Sequence, residues 1–338
     1  DNTMILDCNR NSNNVLLYQD YAQALNKESL MFHFTDRNAL TYFVLERAQK
    51  LFPESQSLVK LHLDFSESSL NDQMYEEAII AIKGASKLKE LTVNLPQRSY
   101  EGGLINLLTI AKDMPELRIL FIQSRQADLS EIKVIEICKA LKELQNLEQF
   151  SIAFNGKSSH QFSTLALVHC YQSIASLQKL NHLSIENQRF KITNLTWKYL
   201  FDSLNTMKNL SSLDLKFFDS RLNTSFFQEF SVFLAQNPNL KKLQLSLSDI
   251  SATTADIENL AIALKNAANL RSLELFIQIP NLKSSDAAMY QSLIESIDHF
   301  DQKLLIKIAA TEYRSLTRRK KPARIESSSD SETVQNRF

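Results

Sequence analysis

Glycine is scarce in this chain, with four residues in 338, and it is joined by only six prolines, three cysteines and one tryptophan. So few glycines and prolines argue against a sandwich or barrel built on many tight turns, and against a glycine-rich phosphate loop. Cys8, Cys138 and Cys170 are odd in number, with no C-x-x-C pair and no histidine at ligand spacing, which argues against a disulfide framework or a zinc site. No run of 18 apolar residues occurs, so no transmembrane helix is expected. Neither sign of charge is in surplus: 38 basic residues face 38 acidic ones. This balance hides an asymmetry. After Tyr313 stand seven basic residues (Arg314, Arg318, Arg319, Lys320, Lys321, Arg324 and Arg337) and three acidic ones (Glu326, Asp330 and Glu332), so the tail carries +4 and the body −4. The body is therefore not a basic, nucleic-acid-like surface. Motifs of the G-x-S-x-G, H-E-x-x-H and P-loop types are absent, and no catalytic carboxylate pair can be placed. Neither an enzymatic activity nor a cofactor is expected.

What the chain has in plenty is one hexapeptide, L-x-x-L-x-L, typified by Leu240 to Leu245. It starts at Leu58, Leu88, Leu117, Leu147, Leu180, Leu210, Leu240 and Leu270, at intervals of 30, 29, 30, 33, 30, 30 and 30 residues. A single copy would carry no information because leucine is common, but eight in register at one period indicate a solenoid. A period also overrides the two or three domains that the length alone would suggest, since a solenoid grows by adding units.

These repeats resemble leucine-rich repeats. A length near 30 with a long helical segment in each is similar to the ribonuclease-inhibitor subclass, over about residues 29–308. The resemblance implies an α/β solenoid: a curved horseshoe with parallel strands on its concave face and helices on its convex face. Family repeats place Asn or Cys three residues after the last apolar strand position. Here Ser66, Pro96, Arg125, Asn155, Gln188, Phe218, Ser248 and Gln278 stand there, so only Asn155 conforms and less regular turns are expected.

The residues support the same architecture independently. Leu91, Val93 and Leu95, then Leu213, Leu215 and Phe217, then Leu243, Leu245 and Leu247 alternate with polar residues, as half-buried strands do. Between them Val134, Ile137, Cys138 and Leu141, Leu167, Cys170, Tyr171 and Ile174, and Phe226, Phe230, Phe233 and Leu234 follow helical spacing. Cys138 and Cys170 sit at similar places in neighbouring helices and are expected as buried, reduced thiols in a reducing compartment, the cytoplasm. Asp128 with Glu131, Ser225 with Gln228, and Thr253 with Asp256 are spaced as helix N-caps. Strands ~4.8 Å apart beside helices about 10 Å across would make the array curve.

The expected organisation is a repeat domain of about ten units over 1–312, with 1–28 a degenerate opening unit of a short strand (Met4 to Leu6) and a helix through Val15, Tyr18 and Leu25. A strand over Met31 to Phe34 follows. The longer interval before Leu180 is assigned to a polar loop over Asn155 to His160, and the array closes on a helix near Ala287 to Ile297 and a strand at Leu304 to Ile308. Residues 313–338, basic and then rich in serine and acid, are expected to be a disordered tail. The tail's Arg318, Arg319, Lys320 and Lys321 read as a nuclear-import signal, a contact to nucleic acid or acidic lipid, or a solubilising run. The chain begins at Asp1 rather than Met, which leaves open a trimmed upstream segment or signal peptide. In a secreted protein the N-x-[ST] triplets at Asn194, Asn209 and Asn223 would be glycosylation acceptors.

The function expected is a non-enzymatic scaffold or adaptor that binds a protein partner on its concave face, without small-molecule substrate, membrane or metal. Its site residues are the outward strand positions: Lys60, His62, Asp64, Glu90, Thr92, Ile119, Phe121, Gln123, His182, Asp214, Lys216, Lys242, Glu274 and Phe276. Within them Ile119 and Phe121, beside uncharged Gln149, Ser151 and Ala153, form an apolar patch. His33 and His62 occupy equivalent positions but lack a third metal ligand. Two other readings are the regulatory portion of a larger enzyme, for example a kinase, and a nucleic-acid adaptor acting through the tail.

Overall fold

The computed structural model describes residues 3–8, 23–24, 26–34, 50–55, 57–68, 72–95, 101–123, 131–155, 164–188, 193–218, 224–248, 253–278, 293, 302–309 and 313–317. The chain forms two compact units, residues 1–216 and 217–338. The opening helix, the Asn155 to His160 loop after its first residue, and the helix near Ala287 to Ile297 apart from Leu293 lie outside the described residues, as do Arg318, Arg319, Lys320 and Lys321.

From β3 to β10 strand and helix alternate once per repeat. The first unit contains β1 (Thr3–Cys8), β2 (Ser29–Phe34), β3 (Lys60–Asp64), α1 (Asp72–Ala81), β4 (Glu90–Asn94), α2 (Glu101–Ala111), β5 (Ile119–Gln123), α3 (Glu131–Leu141), β6 (Gln149–Asn155), α4 (Thr164–Ala175), β7 (His182–Gln188) and α5 (Asn194–Asn205). Strand β8 (Ser212–Phe218) spans the boundary between the units. The second unit continues with α6 (Thr224–Gln236), β9 (Lys242–Leu247), α7 (Thr254–Asn266), β10 (Ser272–Gln278), β11 (Gln302–Ala309) and β12 (Tyr313–Thr317). From β1 to β7 every neighbouring pair is parallel and follows chain order, as are β9 with β10 and β10 with β11. Parallel neighbours need a crossover, which the helices supply. The fold is an α/β leucine-rich-repeat solenoid.

The repeated leucines act at two places. The leading one lies in a turn: the N–H groups of Leu88, Leu117, Leu147, Leu180, Leu210, Leu240 and Leu270 each donate to the carbonyl three residues earlier. For that reason the strands begin two residues after the leading leucine, not on it. The next carbonyl along is shared. Val59 O accepts from the N–H groups of Lys89 and Glu90, Lys89 O from Arg118 and Ile119, Arg118 O from Glu148 and Gln149, and Glu148 O from Asn181 and His182. This tie sets the register, so Leu61, Leu91, Leu120, Phe150 and Leu183 stand side by side, each 1% exposed or less.

The helix stripes complete the core. Val134, Ile137, Cys138 and Leu141 of α3 are buried, as are Leu167, Cys170, Tyr171 and Ile174 of α4. In the second unit Phe217 meets Phe226 edge-on at 6.0 Å between ring centres, and Phe226 stacks on Phe230 at 5.7 Å. Burying such rings stabilises by roughly 1.5–3 kcal/mol each. Thr253 and Asp256 form the expected capping box on α7, and Asp256 Oδ2 also accepts from Thr224 Oγ1 at 3.1 Å. Helix α6 starts at Thr224, so Ser225 lies inside its first turn and is not the preceding cap. An N-cap not anticipated is Thr193 on α5, which accepts from the Thr196 N–H.

The end of the array differs from expectation. Strand β12 pairs antiparallel with β11, Ala309 opposite Tyr313 and Leu305 opposite Thr317, within the segment expected to be tail. The physical reason is the free edge of β11, whose unpaired N–H and C=O groups the returning strand satisfies. No described helix is long and apolar enough to cross a membrane.

Two substitutions probe this packing. Gly103 in α2 lies against the ring of buried Tyr75, where an added Cβ would collide with the ring edge. In Gly103→Ala a helix-propensity gain of roughly 1 kcal/mol opposes an overpacking cost of about 1–3 kcal/mol. A lower melting temperature is expected by calorimetry. Thr253→Ala should cost about 1 kcal/mol in a urea titration by removing the cap.

Candidate functional site

One face of each unit's sheet packs on the helices and the other is open, because alternate strand residues point to opposite sides. All fourteen residues proposed from the sequence occupy open-face positions. In the first unit they fall in three rows across the strands. One row runs Lys60, Glu90, Ile119, Gln149, His182, another His62, Thr92, Phe121, Ser151, Ser184, and the third Asp64, Asn94, Gln123. Asp214 and Lys216 follow on β8, while Lys242, Glu274 and Phe276 belong to the second unit. There Glu274 lies opposite Gln244 and Phe276 opposite Ser246.

At the β2 to β4 end, charges pair across strands. Lys60 Nζ meets Glu90 Oε2 at 3.1 Å, and His33 Nε2 meets Asp64 Oδ2 at 3.0 Å. The Ser66 N–H donates to Asp64 Oδ1 at 3.0 Å, and Asn94 Nδ2 lies 3.2 Å from His62 Nε2. Burial alone would raise the Asp64 pKa, but hydrogen bonds from the Ser66 side chain and N–H and from Asn94, with the His33 charge, outweigh it and hold the carboxyl below its ordinary value. Burial lowers the His62 pKa, an effect only partly offset by Asp64 and Glu90, while His33 adds to it. Among the described residues no group of three or more His, Cys, Asp or Glu could hold a metal ion.

The centre is different. Ile119 and Phe121 are half-buried on the open face while Leu120 and Ile122 between and beyond them are fully buried, so the register is the one that turns Phe121 outward. Phe121 reaches across β6 to His182, the rings edge to face at 6.4 Å and 79°. His182 Nδ1 lies 2.9 Å from Ser212 Oγ. Beside them Ser184 Oγ donates to Asp214 Oδ2 at 3.1 Å, and Lys216 Nζ meets the same oxygen at 3.0 Å. Sequence reasoning passed over Asn94, Ser184 and Ser212, and weighed His33 only as a ligand. They share alternate strand positions with the residues it chose, which is the signal that would have found them.

Two further features lie on the helix side. Cys138 of α3 and Cys170 of α4 are free, buried and in contact; the hydrogen bond it gives Cys138, with burial, raises the Cys170 thiol's pKa. Ile132, Leu165 and Leu195, each the second residue of its helix, are 69%, 58% and 53% exposed on α3, α4 and α5. This places a second apolar feature away from the sheet face.

No family model matches the chain, and no curated protein does. Among solved structures it is similar to the Rad7 and Elc1 complex of yeast, at 13% identity and a TM-score of 0.41, over 86% of this chain and 77% of that one. It is also similar to internalin C2 of Listeria monocytogenes str. 4b F2365, at 17% identity and a TM-score of 0.30, over 58% of this chain and 74% of that one. At these values neither likeness carries an argument about function.

The two shifted groups on the sheet predict a pH dependence. His62 has a folded pKa below its ordinary 6.5, so its contribution to stability is full above that value and is lost as pH falls through the folded pKa. Asp64, also depressed, adds a second loss below its ordinary 3.8. The melting temperature should fall between pH 7 and pH 5, and His62→Asn should flatten that slope. An unchanged slope in the variant would remove His62 as its cause.

Proposed function

We propose that the chain is a non-enzymatic protein-binding scaffold whose partner docks on the open face of the first unit's sheet, centred on Ile119, Phe121 and His182. The observation that carries this reading is the outward Phe121, held edge-on by His182 within an uncharged stretch made with Gln149, Ser151 and Ala153. An apolar, aromatic centre inside a polar rim is the composition of an interface core. The paired charges at Lys60 and Glu90 and at His33 and Asp64 form that rim on one side.

The ribonuclease-inhibitor-type subclass belongs to the same proposal, supported by repeat intervals of 29 to 33 residues and a helix of 10 to 13 residues in most repeats. So does a reducing, cytoplasmic setting, supported by two buried free thiols in contact.

The experiment is affinity capture of a partner by the full chain and by two variants. Ile119→Ser with Phe121→Ser should abolish capture and shift the melting temperature little, because both residues are already partly solvated. Ile132→Ser with Leu165→Ser and Leu195→Ser, on the helix side, should leave capture intact. Loss of capture in the helix variant alone would overturn the sheet-face reading. Unfolding of the sheet variant would make the patch part of the core instead.

A further inference from the structure

Asp214 is nearly buried for an open-face residue, 9% exposed beside Asp64 at 8%, and differs from Asp64 in how its oxygens are served. Its Oδ2 receives both Ser184 Oγ and Lys216 Nζ, at 3.1 and 3.0 Å, while its Oδ1 is buried and has no hydrogen-bond partner among the described residues. A buried carboxylate oxygen without a donor is costly. A single ammonium is a point donor and serves one oxygen here, whereas a guanidinium presents a planar fork that serves both carboxylate oxygens at once.

The surroundings suit such a fork on a long apolar stem. Running from Phe121 toward Asp214, the central row carries only Ser151 and Ser184, two small hydroxyl side chains. The Phe121 ring stands at one end of this floor, His182 flanks it in the row on one side, and Ala153 and Glu186 lie in the row on the other. Lys216 is 28% exposed, so its stem has open solvent into which it can swing.

We propose that Phe121, Ser151, His182, Ser184, Asp214 and Lys216 form a subsite for an arginine side chain of the partner. The guanidinium replaces the Lys216 ammonium on Asp214, and the methylene stem lies along the serine floor toward the rings. The inference rests on the open face being the binding face and adds to it the chemistry of one anchoring residue.

The test uses the full chain labelled with ¹³C-histidine, whose six histidines give six signals, that of His182 identified by its loss in His182→Gln. N-acetyl-arginine amide is titrated in, with N-acetyl-lysine amide and the neutral N-acetyl-citrulline amide as comparators. The arginine probe should move the His182 signal saturably, about tenfold more tightly than the lysine probe, and citrulline should not move it. Asp214→Asn should abolish the shift, and Lys216→Met should tighten it. Lys216→Arg supplies the guanidinium from the chain itself and should weaken the probe about tenfold; this variant decides the matter even where Asp214→Asn does not fold. Because no partner is present, a negative result here leaves the capture experiment standing, and failed capture leaves this titration interpretable. Equal affinity for arginine and lysine, an affinity undiminished in Lys216→Arg, or movement of other histidines in place of His182 would overturn the subsite.

Discussion

A single carbonyl at the entry to each of β2 to β7, and to β9, accepts two N–H groups from the repeat that follows, and the sheet's register depends on it. Glu28, Val59, Lys89, Arg118, Glu148 and Asn181 hold these carbonyls in the first unit, and Lys241 holds an equivalent one in the second. With both donors fixed, the following strand has no freedom to slip by one residue, which would turn its whole apolar set outward. The leading leucine keeps the carbonyl in place, because its side chain is buried while its own N–H closes the preceding turn. Hydrophobic burial and backbone bonding are thus joined in one residue per repeat. Disturbing either would loosen the same point.

Stability and the proposed recognition fall on different faces. The helix-facing side holds the leucines and rings, including Phe34 stacked on Phe65 at 4.6 Å and Phe65 edge-on to Tyr75 at 5.2 Å. The open side holds ion pairs such as Lys60 with Glu90, which in partly solvated settings contribute little to stability. What those pairs do is neutralise charge locally. Strands β5 and β6 carry no charged open-face residue, so Ile119 and Phe121 present shape and apolar surface in place of charge. Asp214 departs from this pattern, since it is nearly buried and one of its carboxylate oxygens has no donor among the described residues.

Much of this was legible in the residues. The period of the leucines identified the repeat, and the alternation around Leu120 and Ile122 put Phe121 on the open side, because a strand's two faces follow from neighbouring residues alone. The spacing of Thr253 and Asp256 marked a helix start for the same local reason. Ser225 misled because the backbone turns into α6 two residues earlier than a cap at that side chain would require. Strand β12 was illegible, since its charged, serine-containing stretch has no apolar alternation and owes its form to the open edge of β11.

The sequence by itself therefore determined the repeat, the strand and helix order and the face on which each side chain lies, all of which arise from interactions within a few residues or from a strict period. Only the tertiary structure decided that His33 ties Asp64, that Phe121 crosses β6 to reach His182, and that Ser184 and Lys216 share one oxygen of Asp214. Most of these contacts join residues about one or two repeats apart in the chain. They depend on the register between strands and on the rotamer each side chain takes in its neighbours' company, and no local pattern encodes either.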